Sequence, residues 1–125
     1  MGTSSFIGQM QDDGTIRGVR CNWDGYVEST GYILMRHYAE NRAKVSELLD
    51  LGELSFLGSG PKNGTCAYAR DGGEILEPAI FFNDLDHVLT QHQDYFYVQM
   101  HNGWFYSRGE DWKPVPQPPP IIEPI

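Results

Sequence analysis

Apolar and polar residues alternate most clearly near the two ends of the chain, and the first alternating region predicts a β-hairpin. Two extended segments flank Gln11-Asp12-Asp13-Gly14, and Asp-Gly between such segments is a strong hairpin signal. We therefore predict strands near residues 4–10 and 15–22.

A second hairpin is predicted near the C-terminus, where residues 94–100 and 104–108 flank the favoured turn pair Asn102-Gly103. A two-residue turn at that pair would set the register of the two strands. One face would then carry the pairs His101 with Trp104, Gln99 with Tyr106, and Tyr97 with Arg108. The other face would carry the pairs Met100 with Phe105 and Val98 with Ser107. We expect the second face to be core and the first to be aromatic, polar and basic.

Helical spacing marks the region from Gly31 to Asp50. The positions that recur at this spacing are Ile33, Leu34, His37, Tyr38, Val45, Leu48 and Leu49. We predict two helices with a break at Glu40-Asn41, because Asn41 can accept from the free amides of a second helix. Gly52 suits the left-handed end of that helix.

The remaining segments predict shorter elements. Residues 53–61 read as a loop over Leu54, Phe56 and Leu57, and residues 65–70 and 77–82 as strands joined through Asp71-Gly72-Gly73. Asn83 can cap a short helix over residues 84–91. The predicted fold is a single α+β domain over residues 1–112, with an antiparallel sheet of about five to six strands and two to three helices. Residues 113–125 form a proline-rich tail that we expect to be extended or disordered.

Composition narrows the classes of function. The 125 residues match one domain, and a formal charge of −8 disfavours duplex nucleic acid as a partner. No run of 18 apolar residues and no signal-peptide pattern is present, so we expect a cytoplasmic protein without a membrane partner. The cysteines, Cys21 and Cys66, are expected to be buried thiols.

Residue sets that carry catalysis or bind metals are not visible. The four histidines lack metal-ligand spacing, and Gly58-Ser59-Gly60 and Gly72-Gly73 match no phosphate-binding loop. Arg20 should point away from Cys21 on a strand, so a reactive thiolate is disfavoured. We therefore predict no catalytic residue, no metal and no cofactor, and interpret the chain as a binding protein.

Two features suggest where a ligand could bind or what could hold the fold together. Tyr97, Trp104, Tyr106 and Arg108 share one predicted sheet face and could line a pocket for an anionic ligand. The alternative, of equal weight, is that helices cover this face as a second core layer while Arg108 pairs with Glu110 or Asp111.

The other feature is a structural turn formed by Cys21, Trp23, Asp24, Gly25 and Tyr26. In it, Asp24 would cap, Gly25 would adopt positive φ, and Trp23 and Tyr26 would pack as staples.

The segment Cys21-Asn22-Trp23-Asp24-Gly25-Tyr26, followed by Gly31 to Leu34 and His37-Tyr38, resembles a pattern of small phage and prophage proteins. The pattern reads CHWDGY, then G-x-x-L, then HY, so this chain differs at Asn22. The resemblance continues through residues 44–55 and 68–74 to the aromatic hairpin at 95–106. The chain thus resembles the anti-Thoeris sponge family, which sequesters a cyclic ADP-ribose isomer made by bacterial immune enzymes.

That resemblance implies a non-catalytic homodimer or larger homo-oligomer in the bacterial cytosol that captures a small-molecule nucleotide signal. The residues that could hold such a ligand are Arg70 and Arg108 for phosphate, Phe82 and Asn83 for a base, Tyr97 as a ring, and Asp111 for ribose. Alternatives are an acidic inhibitor or adaptor of a host defence complex and, last, an enzyme that degrades the same signal.

Overall fold

The computed structural model describes residues 2–73 and 78–120, which form an α+β fold around an eight-stranded mixed sheet. The strands are β1 (Ser5–Met10), β2 (Ile16–Cys21), β3 (Leu54–Phe56), β4 (Cys66–Ala67), β5 (Ile80–Phe82), β6 (Tyr95–Met100), β7 (Gly103–Ser107) and β8 (Lys113–Pro114). Their order is β4-β3-β2-β1-β6-β7-β8, and β5 pairs with β2 beside that path. The predicted α+β class is confirmed.

The prediction of a purely antiparallel sheet of five to six strands was wrong. Strand β1 runs parallel to β6, with Ile7 opposite Tyr97, and β2 meets β3 in parallel at Cys21 and Leu54. Both contacts join segments far apart in sequence, so no turn signal between neighbouring strands could indicate them. The two predicted hairpins are thereby joined side by side into one sheet.

Both faces of the central strands are buried. One face packs under the helical region in a cluster that includes Ile7, Tyr97 and Trp104. The opposite face forms a second cluster that includes Phe6, Phe96 and Val98. Of the two alternatives for the aromatic face of the C-terminal hairpin, coverage by the helices is the one observed, because Tyr97 and Trp104 are buried beneath them.

The C-terminal hairpin has a different turn from the one predicted. Met100 pairs with Gly103, Gln99 with Trp104, and Tyr97 with Tyr106. The turn residues are His101 and Asn102, and Gly103 opens β7 with φ of 128°. The register differs from the prediction by two residues, so each side chain keeps its predicted face while its partner changes.

The helical region begins at Val27, earlier than predicted, and runs to Tyr38. It contains the π-helical turns Val27–Gly31 and Leu34–Tyr38. The predicted break and cap are confirmed: helix α1 spans Arg42–Leu49, and the Asn41 side chain accepts from the Lys44 amide at 3.0 Å. Gly52 adopts the left-handed conformation two residues beyond the helix cap at Asp50.

A strained corner fixes this helical region to the sheet. Ala39 has φ of 41°, in the left-handed region that an L-residue rarely adopts. Its carbonyl accepts from Gln99 Nε2 at 2.9 Å and from Trp104 Nε1 at 2.8 Å. These two bonds hold the end of the helical run against β6 and β7.

Several predictions for the middle of the chain were wrong. The expected loop at 53–61 contains β3, and Phe56 is 43% exposed rather than covered, whereas Leu54 and Leu57 are buried. The expected strand at 65–70 is strand only at β4, after which helix α2 spans Tyr68–Gly72.

The second expected strand, at 77–82, is observed as β5, and the residues at 74–77 lie outside the described part of the chain. Helix α3 spans Leu85–Val88. It is capped by Asp84 instead of Asn83, since the Asp84 carboxylate accepts from the His87 amide at 2.8 Å.

The start of the proline-rich tail belongs to the sheet. Lys113 pairs with Tyr106 in β8, and Val115 is buried while its amide donates to the Trp104 carbonyl at 2.9 Å. Residues 113–115 thus belong to the fold, and packing continues past the predicted boundary at 112. None of the helices between residues 2 and 73 or 78 and 120 is long and apolar enough to cross a membrane.

A cross-strand glycine pair shapes the face opposite the helical region. Gly8 of β1 lies opposite Gly18 of β2, and the Phe6 ring covers both. A Cβ on Gly8 would come within 2.6 Å of that ring, and a Cβ on Gly18 would come closer still. Both positions must therefore lack a side chain for Phe6 to lie over the ladder.

We expect Gly18→Ala to lower the free energy of unfolding by about 1–3 kcal/mol, because Phe6 must leave its position in a packed core. Chemical denaturation monitored by circular dichroism measures this change. Gly60→Ala is the matched control, since a Cβ at that position would keep 3.6 Å from its neighbours. Equal stability of the Gly18→Ala and Gly60→Ala variants would contradict this account of the glycine pair.

Candidate functional site

A candidate site combining apolar walls with charged side chains is a pocket where β5 pairs with β2, with a volume of about 290 Å³. We call it the β2–β5 pocket. Its lining residues are Phe6, Gly18, Val19, Arg20, Glu53, Pro78, Ile80, Phe82 and Gln91. Ligand pockets typically combine apolar walls with a few polar groups, and this composition has both.

The apolar part of the pocket follows from strand geometry. Gly18 lies opposite Ile80 in the ladder between β2 and β5, and Ile16 opposite Phe82. Phe82 meets Phe6 edge to face, with ring centroids 5.3 Å apart. Because Gly18 has no side chain, the Phe6 ring can lie directly over its backbone and form one wall of the pocket together with Ile80 and Phe82.

The polar part of the pocket comes from three separate segments. Arg20 follows Gly18 on the same face of β2, Glu53 precedes β3, and Gln91 follows α3. Neither Arg20 nor Glu53 forms an ion pair within the described residues, where the ion pairs are Arg17 with Asp50 and Arg70 with Asp71. The pocket therefore presents a guanidinium and a carboxylate that do not pair with each other, together with a neutral side-chain amide.

Glu53 is held from outside the pocket by two neighbours. The Asn22 side-chain amide donates to Glu53 Oε2 at 3.3 Å and to the Tyr68 hydroxyl at 3.0 Å. The Tyr68 amide donates to the Glu53 carbonyl at 3.3 Å. Asn22 thus links the end of β2 to the carboxylate that lines the pocket.

A second, more open cleft of about 400 Å³ lies at the end of β7 and is lined by Tyr106, Arg108, Glu110, Asp111 and Lys113. The Arg108 guanidinium lies over the Tyr95 ring, 4.6 Å from its centroid. Contrary to the alternative for Arg108, neither Glu110 nor Asp111 is its ion-pair partner in the described residues. This cleft has two cationic and two anionic groups but only one aromatic wall.

The residues predicted to bind a ligand do not meet at one place. Phe82 lines the β2–β5 pocket, while Arg108 and Asp111 line the cleft at β7. Tyr97 is a core residue, and its hydroxyl donates to the Gly25 carbonyl at 2.6 Å. Burial raises the pKa of that hydroxyl, so it stays a donor at neutral pH. Asn83 uses its backbone amide to donate to His87 Nδ1 at 3.1 Å and lies outside both sites.

Arg70 has a local structural role. It pairs with Asp71 at 2.8 Å and donates to the backbone carbonyls of Pro61 and Thr65. The bonds from Arg70 and from the Ala67 amide lower the pKa of Asp71 to about 2. The Arg70 guanidinium is thus committed to holding the loop before β4 rather than open toward either site.

The turn after β2 differs in detail from the predicted one. Asp24, not Gly25, has positive φ, at 57°, and its carbonyl rather than its side chain accepts from the Thr30 hydroxyl at 2.8 Å. Gly25 is buried against Ser4, and a Cβ at this position would lie 2.8 Å from the Ser4 carbonyl oxygen, so a side chain does not fit. Trp23 and Tyr26 are 49% and 40% exposed, so they are not packed staples.

The cysteine in this turn is a buried thiol, as the strand alternation indicated. Burial raises the pKa of Cys21 to about 12, and its sulfur lies 3.8 Å from the carbonyls of Trp23 and Ser55. In the described residues, no group of three or more His, Cys, Asp or Glu side chains could hold a metal ion.

Sequence reasoning missed Arg20, Glu53 and Gln91 as lining residues. Strand alternation could have placed Gly18, Arg20 and Asn22 on one face of β2. The pairing of β2 with β5 had no local signal, because the paired residues lie more than 60 positions apart in sequence.

Comparison of the chain with protein-family models, curated proteins and solved structures found no match.

We expect Cys21 to resist iodoacetamide in the folded protein at pH 8, because it is inaccessible and its thiol stays protonated below about pH 12. Contrary to the prediction, Cys66 is only partly buried, and it serves as the internal control. Peptide mass spectrometry should find alkylated Cys66 in the native protein and alkylated Cys21 only after unfolding. Alkylation of both residues at the same native rate would contradict the buried position of Cys21.

Proposed function

We propose that this protein binds and sequesters a nucleotide-derived signal, of the cyclic ADP-ribose type, without cleaving it. The observation that carries the proposal is the composition of the β2–β5 pocket, where Phe82 and Phe6 lie beside Arg20 and Glu53, neither of which forms an ion pair within residues 2–73 and 78–120. A nucleotide needs a ring or apolar surface for its base, a cation for its phosphate and an acceptor for its ribose hydroxyls. The pocket offers all three.

The size of the pocket favours one nucleoside unit over a whole dinucleotide. Ligand pockets usually measure about 300–1,000 Å³, and this one is at the lower limit, about 290 Å³. We propose that the base and one ribose enter the pocket while the rest of the ligand lies at its mouth. The resemblance to the anti-Thoeris sponge family supports a cyclic ADP-ribose isomer as that ligand and a homo-oligomer as the active form.

Capture without turnover makes specific demands on the site. A sequestering protein works in proportion to its amount, so it needs tight binding and slow release rather than acid, base or nucleophile. Arginine suits this task because its planar fork holds phosphate oxygens by two hydrogen bonds and keeps its charge at every physiological pH. Arg20 is the residue we assign to the phosphate.

Calorimetry and native mass spectrometry with ADP-ribose and its cyclic isomers test the proposal. We expect a dissociation constant below about 1 μM for one of these compounds and its recovery intact after heat denaturation. Arg20→Gln should weaken binding by about tenfold or more, because it removes a charge-assisted bond to phosphate. Phe82→Leu should also weaken binding, because it keeps an apolar side chain but removes the ring.

Arg108→Gln is the matched control, since it removes the same charge from the cleft at β7 and should change affinity by less than about threefold. The reverse pattern, with Arg108 required and Arg20 dispensable, would move the binding site to the β7 cleft. Absence of binding across the whole set of compounds, or multiple turnovers of one of them, would overturn the proposal.

A second candidate function is an acidic protein-binding inhibitor or adaptor. It is favoured by the charge of −8 and by the exposed apolar side chains Trp23, Tyr26, Phe56, Ile80 and Phe81. Such a protein would bind a basic host surface, and its affinity would fall steeply between low and physiological ionic strength. Retention of a host defence protein with that salt dependence, and with no small molecule bound, would favour this function.

A further inference from the structure

We infer that Glu53, positioned by Asn22, makes the β2–β5 pocket selective for a ribonucleoside monophosphate unit with an unmodified ribose diol. This inference rests on the proposed function and goes further, because it assigns the chemical feature that the pocket selects. It concerns the ribose alone and is separable from the question of whether a nucleotide binds at all.

Glu53 uses few of the hydrogen-bond acceptor positions that its carboxylate offers. A carboxylate has two oxygens with about four acceptor positions and no donor. Within the described residues one of these positions is used, by the Asn22 amide at 3.3 Å. The other oxygen, Oε1, has no hydrogen-bond partner among residues 2–73 and 78–120, although Glu53 lines the pocket wall. A ligand group that displaces solvent from Oε1 must therefore bring a hydrogen-bond donor.

The charges in the pocket favour a ligand whose two ends differ in chemistry. Arg20 and Glu53 have opposite charges and line the same pocket, yet they are not within ion-pair distance of each other. A simple anion would satisfy Arg20 but meet repulsion from Glu53. A ligand with a phosphate at one end and a pair of hydroxyls at the other satisfies both groups. A ribonucleotide has this arrangement, and two adjacent hydroxyls match the two oxygens of a carboxylate.

Asn22 sets the orientation of the Glu53 carboxylate. Asn22 directly follows β2, whose residues Gly18, Val19 and Arg20 line the pocket, so the same segment also positions the carboxylate. The same Asn22 amide reaches the Tyr68 hydroxyl at 3.0 Å, which ties Glu53 to helix α2. Asn22 does not line the pocket and acts through Glu53, so it is a positioning residue.

A consequence is selection against altered ribose. Removal of the 2′-hydroxyl takes away one donor to the carboxylate, and a 2′-phosphate would bring a second negative charge against Glu53. The pocket should thus discriminate between ribonucleotide and deoxyribonucleotide, and between an unmodified and a 2′-phosphorylated ribose.

The test uses three probes, adenosine 5′-monophosphate (AMP), its 2′-deoxy analogue and adenosine 2′,5′-bisphosphate. Titrations of ¹⁵N-labelled protein followed by ¹H–¹⁵N NMR spectra detect binding even at millimolar dissociation constants. For the wild type we expect the 2′-deoxy probe and the bisphosphate to bind about tenfold more weakly than AMP, or worse. The shifted amides should include those of Gly18, Arg20 and Glu53.

Two variants separate the roles of Glu53 and Asn22. Glu53→Gln should bring AMP and the 2′-deoxy probe within about threefold of each other. Asn22→Asp keeps the shape of the side chain but removes the donor to Glu53, so it should reduce the preference for AMP while phosphate binding through Arg20 persists. Glu47→Gln and Asn63→Asp are the matched controls, because both residues are exposed and outside the pocket.

The possible outcomes are distinct. A preference for AMP that disappears in Glu53→Gln and persists in the controls supports the inference. Equal binding of AMP and the 2′-deoxy probe to the wild type, or an unchanged preference in folded Glu53→Gln, overturns the inference and leaves the proposed nucleotide binding standing. No binding of AMP, ADP-ribose or its cyclic isomers overturns both.

Discussion

The parallel contact between β1 and β6 is the constraint on which the rest of the structure depends. It joins the two hairpins, and parallel neighbours in a sheet are usually covered on both faces. The covering on one side is fixed by a polar network, in which Gln9 of β1 donates to Gln99 of β6 at 2.9 Å and Gln99 donates to the Ala39 carbonyl. The two amides are buried, and they bond to each other and to the backbone carbonyls of Ala39 and Arg42, so the helical region has one defined position above the strands. The strained backbone at Ala39 persists because these bonds over-determine it.

The fold was predictable where the decisive interaction is local. Asn41 accepts from an amide three residues away, and Asp13 and Gly14 turn the chain between adjacent strands, so both elements were read correctly from neighbouring residues. Prediction failed where two segments that are distant in sequence pair with the same edge of one strand. Strand β2 receives β5 at Ile16 to Gly18 and β3 at Cys21, and neither contact has a turn that would indicate it. The hairpin register failed for a local reason, since Gly103 can adopt positive φ either inside the turn or, as here, in the first strand position.

The kinds of chemical group in the candidate site could be predicted from the sequence, but most of the residues that supply them could not. A ring, an arginine, a carboxylate and an amide were the groups expected to hold a nucleotide, and the β2–β5 pocket contains one of each kind in Phe82, Arg20, Glu53 and Gln91. Of these only Phe82 was named in advance, because its strand could be recognised from its apolar residues. The others come from β2, from the turn before β3 and from the segment after α3, which only the folded sheet brings together. Arg70 and Arg108 have the same chemistry but lie with other partners, over a carboxylate and over a tyrosine ring respectively.

The short strand at the start of the proline-rich tail has a consequence for behaviour at high concentration. Without it, β7 would be the last strand of the sheet and would offer free amides and carbonyls to other molecules. Strand β8 covers that edge, and Pro114 within it, followed by Pro116 and Pro118, has no amide hydrogen to donate to a further strand. The sheet is thereby closed to growth by strand addition on this side. An edge that ends in prolines thus keeps this side of the sheet from joining intermolecular sheets, however concentrated the protein becomes.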